Sequence, residues 1–209
     1  PIYRAMNQLI VLQQGAPYAG WADQYYVEDM KPAHARSYEP RSINAGTTVR
    51  AIHLLMDYYR LTGETKFLAG IPAAIQYLES MELPAEEARK YGYTGNGRQG
   101  ILVPRFVDPD TGKPLYVHRV GSNVANGHYY TDQNITNTIA HYSSGAFIDI
   151  ASLKSAYNEI RTKPVEELIK DSPLLSTEQV PLPRFYTRIF SRGGDKGGDV
   201  MQVVRSLTK

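Results

Sequence analysis

The residues best equipped for chemistry lie in one stretch near the N-terminus, Trp21-Ala22-Asp23-Gln24-Tyr25-Tyr26-Val27-Glu28-Asp29-Met30-Lys31-Pro32-Ala33-His34-Ala35-Arg36-Ser37-Tyr38-Glu39. It holds the chain's one tryptophan together with carboxylates, a lysine and an arginine, and Pro32 stiffens it. Such a loop can stack a sugar ring on Trp21, hydrogen-bond hydroxyls through Gln24, and pair an anionic group with Lys31 or Arg36. The same residues also fit a long surface loop whose Trp21 plugs the core and whose Arg36 and Glu39 pair with each other.

Other chemical signals are weaker. His34, His53, His118, His128 and His141 show no His-Glu-x-x-His or similar metal spacing, so they read as structural or exposed. Gly95-x-Gly97-x-x-Gly100 has the letters of a dinucleotide fingerprint, but no strand pattern precedes it and no helix pattern follows, so it reads as a loop. The chain has no cysteine, which excludes disulfides and thiolate metal sites.

The Trp21 loop resembles the pectate lyases of polysaccharide lyase family ten, in which Trp-x-x-Gln leads into Pro-Ala-x-Ala-Arg-x-Tyr-Glu, followed by Ser, Gly and a helix. The matching residues are Trp21, Gln24, Pro32, Ala33, Ala35, Arg36, Tyr38, Glu39, Ser42 and Gly46. A second likeness covers Val103 to Tyr116, where Arg105-Phe106 and Thr111-Gly112-Lys113-Pro114 look like the family's Arg-Phe-Tyr segment and its Thr-x-Arg/Lys-Pro turn. His128-Tyr129-Tyr130 resembles the family's aromatic end.

The resemblance implies a lyase that cleaves α-1,4-linked polygalacturonate by β-elimination, assisted by Ca²⁺ on the uronate carboxylate. It implies that Arg36 is the base, although a guanidinium is ordinarily a fixed cation and its alternative role is a carboxylate clamp. Substrate binding falls to Trp21, Gln24, Lys31, Arg105 and Lys113, a polyanion requiring several spaced cations. Lys113 stands where the family commonly has arginine, so bidentate pairing is lost there. The family's metal-binding aspartates belong upstream of this loop and have no counterpart here, so the metal ligands are unknown. The expectation is therefore the C-terminal portion of a catalytic domain, secreted or periplasmic and monomeric. Two readings compete: a non-catalytic pectin-binding protein that keeps the aromatic and cationic groove, and an (α/α) glycoside hydrolase with two carboxylates facing one cleft.

The elements that must position these residues read as mostly helical. Residues 2 to 14 form an amphipathic pattern stopped by Gly15. Val49, Ile52, Leu55, Met56 and Tyr59 recur at helical spacing up to a C-cap at Gly63, and Phe67 to Met81 repeats the pattern. That pair is the building unit of toroids, solenoids and bundles. Glycine and proline then dominate to about residue 114, with two short strands flanking Asp108-Pro109-Asp110-Thr111-Gly112. Residues 145 to 170 read as helix broken at Pro164, and 199 to 207 as a last helical or strand-like segment. The expected fold is mainly α, a portion of an (α/α) toroid with an irregular loop-rich face and a few short strands. The expected division is a partial catalytic domain over 1–130 and an extension over 131–209 packed on it.

Bulk properties narrow the partners. Hydrophobic residues at 42% and charged residues at 21% belong to a globular chain, not a disordered one. A net charge of +2 without a dense Lys/Arg stripe excludes nucleic acid as the evident partner. No apolar run approaches the roughly 20 residues that cross a bilayer. Tyrosine outnumbers phenylalanine 16 to 5, which suits sugar contacts as well as half-exposed core positions. Both termini look like cuts within a longer protein, so a missing leader carries no information on secretion.

Overall fold

The computed structural model describes residues 2–92, 100–121, 127–139 and 144–176. The chain divides into two compact units, 1–175 and 176–209, and all of the described helices and strands belong to the first. The segment 199–207 and His141, like Gly95 and Gly97, lie outside the described residues.

Helix α1 (Ile2–Val11) turns Met6 into the core. A long loop leads to β1 (Ile43–Asn44) and directly into α2 (Ala45–Thr62). Helix α2 starts where it does because the Asn44 side chain accepts from the amides of Gly46 and Thr47, two donors that the first turn cannot use internally. It ends at Gly63, whose φ of 72° supplies the left-handed cap and whose N–H reaches the Tyr59 carbonyl. Between those ends Ala45, Thr48, Ile52, Leu55, Met56 and Tyr59 recur at three- and four-residue spacing and are all buried. A 3₁₀ turn (Thr65–Phe67) leads to α3 (Ile71–Ser80), started by Pro72, and then to α4 (Ala85–Lys90).

Strands come next along the chain: β2 (Ile101–Pro104), β3 (Phe106–Val107), β4 (Pro114–Val120), β5 (His128–Asp132) and β6 (Gly145–Ile148). Helices α5 (Ile150–Thr162) and α6 (Val165–Ile169) close the unit, separated at Pro164. One sheet has the order β1-β3-β4-β5 and a second pairs β2 with β6. The register is antiparallel throughout, with Asn44 opposite Phe106, Phe106 opposite Leu115, and Val117 opposite Thr131.

This architecture corrects the toroid expectation. The fold is mixed, 41% helical and 17% strand, so antiparallel sheets are a full component and the α/α repeat does not continue. The reason lies in residues 101–148. Their strands are two to seven residues long, too short for a two-residue period to stand out among the glycines and prolines. Residues 145–148 carry apolar side chains at spacings that also suit a helix, yet they pair with β2, and the helix begins only after the Asp149 cap.

The main core joins both layers, with Trp21, Ile43, Ile52, Leu55, Met56, Phe67, Ile71, Leu78, Val103, Ile148, Leu153 and Ile160 in one cluster. A smaller cluster of Leu83, Ala88, Leu102, Tyr116 and Ile135 packs beneath β4.

Candidate functional site

The loop from Trp21 to Ser42 is anchored at both ends. Trp21 is 1% exposed; its indole N–H donates to the Leu9 carbonyl at 2.7 Å and its backbone N–H to Thr48 Oγ1 at 3.1 Å. The Ala22 amide donates to the Tyr25 hydroxyl at 2.7 Å, and burial pushes that phenol up to about 12. Tyr25 and Pro32 form an isolated bridge, closing a hairpin whose tip carries Met30 at φ 57°. On the far side Arg41 forks onto Asp110, Nη1 to Oδ2 at 2.7 Å and Nη2 to Oδ1 at 3.1 Å, while its Nε donates to the Pro32 carbonyl. This clamp fastens the loop to the β3–β4 turn. The Arg41 hydrogen bonds hold the Asp110 carboxyl below its ordinary value, with Lys31 adding to the same field.

Arg36 sits in a tight turn at the loop's end. Its Nη1 donates to Glu39 Oε1 at 2.8 Å, its backbone N–H to Glu39 Oε2 at 3.0 Å, and its carbonyl accepts the Glu39 amide at 2.9 Å. Glu39 is thereby fixed in the turn, whereas the Arg36 side chain is 64% exposed. The turn forms one wall of a groove of about 270 Å³. The opposite wall is the β4–β5 hairpin, contributing Val117, Tyr129, Tyr130 and Thr131, and His34 and Tyr38 complete the lining. Tyr38 and Tyr129 meet edge to face across it, centroids 5.5 Å apart and planes at 63°.

The other residues singled out in the sequence are dispersed. Trp21 is a core residue with no ring face toward solvent, so it anchors the loop and offers no stacking platform. Gln24 is exposed in the hairpin, where its carbonyl accepts the Ala33 amide. Lys31 is exposed beside Asp29 at 3.4 Å. Lys113 is exposed in the β3–β4 turn, its carbonyl accepting the Asp108 amide. Arg105 lies at the bend between β2 and β3, and its guanidinium converges with that of Arg50 over Gly46 at the start of α2. In that corner Asp23 accepts from Asn44 Nδ2 at 2.6 Å and from the Thr47 hydroxyl. None of these five lines the Arg36 groove.

The hairpin's contribution to the groove was not assigned from the sequence. Register pairs Val117 with Thr131 and Arg119 with Tyr129, so these four side chains share one side of the hairpin. The signal was available as a two-residue alternation, Val117 and Arg119 against Tyr116 and His118. The other side of the hairpin is occupied by His118, whose Nε2 lies 2.8 Å from Asp132 Oδ1 and 3.0 Å from the Asn134 carbonyl. Tyr130 stacks on its ring at 5.1 Å.

A second, larger groove of about 460 Å³ runs between α2, β6 and α5, lined by Val49, His53, Phe147, Leu153 and Ala156. Its carboxylate, Asp149, is occupied as the α5 cap by the amide and hydroxyl of Ser152, which hold it below its ordinary value. Among the described residues no three His, Asp or Glu side chains come together as metal ligands. No helix among them is long and apolar enough to cross a membrane.

A family model described as pectic acid lyase matches residues 8–135, from within α1 to just past β5. No curated protein matches the chain.

Proposed function

This chain belongs to the pectic acid lyase family, and from that membership we propose that it cleaves α-1,4-polygalacturonate by β-elimination with Arg36 at the reacting carbon. The likeness to polysaccharide lyase family ten is part of the proposal, because the Arg36 motif is the residue set that carries it. The observation that supports the reading best is the Arg36 turn itself: an exposed guanidinium, fixed by Glu39, facing an aromatic groove within the family-matched region.

In this reaction the base removes the proton on C5, which is acidified by its neighbouring carboxylate. The C–H electron pair forms the C4–C5 double bond, the C4–O bond breaks, and the departing oxygen takes a proton from water. Arg36 can serve in two ways. As base it must act in its neutral form, and the Glu39 carboxylate opposes that by stabilising the cation. As clamp it pairs the uronate carboxylate while remaining charged. We assign it the base role, with Glu39 orienting the guanidinium and setting how readily it gives up its proton.

Calcium, when bound to the uronate carboxylate, supplies stabilisation of the enolate-like charge. Among the described residues no three His, Asp or Glu side chains gather as ligands for it. Arg119, paired with Tyr129 on the same side of the hairpin, would meet a further uronate. Gln24, Lys31, Arg105 and Lys113 would contact only more distant residues of the polymer. The same reading, with a polymeric substrate too large to enter a cell, has the protein acting as a secreted or periplasmic enzyme, and we propose that it does so as a monomer.

The test is incubation with polygalacturonate and Ca²⁺, following the unsaturated product in the ultraviolet. Product formation that disappears in Arg36→Ala supports the proposal. Tight binding without any product would favour a non-catalytic polyuronate-binding protein, a role that the Glu39-held cation also suits.

A further inference from the structure

We propose that Tyr129 is a sugar-contacting wall of the Arg36 groove, seating the ring of a uronate whose carboxylate meets Arg36, an inference that rests on the function proposed above. Tyr129 lies on β5 opposite Arg119, on the same side of the hairpin as Val117 and Thr131, and it lines the groove. It is half-buried, its position fixed by the edge-to-face contact with Tyr38 at 5.5 Å. Tyr129 lines the groove while only half-buried, so part of its aromatic surface faces the space a ligand would occupy.

The two walls are chemically unlike. On one stands the Arg36 guanidinium; on the other, a phenol ring beside a threonine hydroxyl. A uronate is built the same way, with a carboxylate on one edge and a C–H-rich ring face. Its carboxylate directed at Arg36 leaves that face against Tyr129. At about 270 Å³ the groove falls just below the usual size of ligand pockets, roughly 300–1,000 Å³. It therefore takes one sugar unit, with the rest of the polymer crossing the surface. This gives the tyrosine-rich composition the sugar role that the buried Trp21 cannot fill.

Strand β5 contains its own control. Tyr130 is the adjacent residue, but its ring lies on the other side of the hairpin, stacked on His118 at 5.1 Å with planes 21° apart. Tyr130 also borders the groove, but because its ring is held against His118, loss of that ring disturbs the same strand while leaving the Tyr129 ring in place.

The experiment is calorimetric titration of trigalacturonate into the full chain and its variants, with thermal melts to confirm folding. Tyr129→Ala should weaken binding about tenfold, and Tyr129→Phe and Tyr130→Ala should each stay within about threefold of wild type. Thr131→Trp, which fills the groove from the same strand and leaves the Tyr38–Tyr129 contact in place, should weaken binding at least as much as Tyr129→Ala. It decides the matter if Tyr129→Ala does not fold. Wild-type affinity in Tyr129→Ala or Thr131→Trp, or an equal loss in Tyr130→Ala, overturns the inference while leaving the lyase reading intact. A wild-type chain that binds no trigalacturonate overturns both.

Discussion

Trp21 separates two accounts of the loop, and its replacement distinguishes them by stability. The indole occupies the main core and caps the Leu9 carbonyl, one of the last four of α1, at 2.7 Å. Trp21→Phe keeps most of the ring and removes that donor. A buried acceptor left without its partner costs about 1–3 kcal/mol. For a chain of this size each kcal/mol lowers Tm by about 2–4 °C, so a mid-range loss of about 2 kcal/mol lowers it by about 4–8 °C. Trp21→Ala adds a cavity and should cost about 3–5 kcal/mol. Differential scanning calorimetry reads both. Since Trp21 is the chain's one tryptophan, its fluorescence gives an independent check. Emission should be that of an apolar site and should not respond to trigalacturonate. A Phe variant with unchanged Tm and lost sugar binding, or emission quenched by the sugar, would refute the core assignment.

Other outcomes follow from the same contacts. Asn44→Ala removes the acceptor for two first-turn amides of α2 and the donor to Asp23, and should cost about 1–2 kcal/mol in chemical denaturation. Glu39→Gln separates the two roles of Arg36: if Arg36 is the base, the alkaline rise of kcat moves to lower pH, whereas a clamp changes KM and leaves the profile where it was. The Arg41–Asp110 fork has a defined pH dependence. Asp110 titrates lower in the folded chain than in the unfolded one, so the fork's contribution is present above the ordinary carboxylate value of about 3.9 and is lost as pH falls through the lowered value. Limited proteolysis of the loop should accelerate over that acid range in wild type, and Asp110→Asn should be cut quickly at neutral pH as well.

The sequence carried the helices and the loop further than the sheets. Gly63 and the spacing of Ile52, Leu55, Met56 and Tyr59 are local signals, and local signals suffice to mark α2. Strands β2 to β6 depend on partners distant in the chain, such as Ile101 with Ile148, and a four-residue apolar run does not announce its partner. The Arg36–Glu39 pair was legible because it spans three residues. Tyr129 was noted only as part of an aromatic end, because its place beside Arg36 depends on a hairpin packing against a loop about 90 residues earlier. Trp21 misled for a different reason: composition reports that a ring is present, while burial decides whether a ligand can reach it.

The most direct test of the central claim is the initial rate of unsaturated-product formation from polygalacturonate, measured in the ultraviolet with Ca²⁺ present for wild type, Arg36→Lys and Arg36→Ala. The account predicts steady product from wild type, and a loss of at least about a hundredfold in both variants with melting temperatures maintained, the scale of a general-base contribution. An undiminished rate in Arg36→Ala would contradict it.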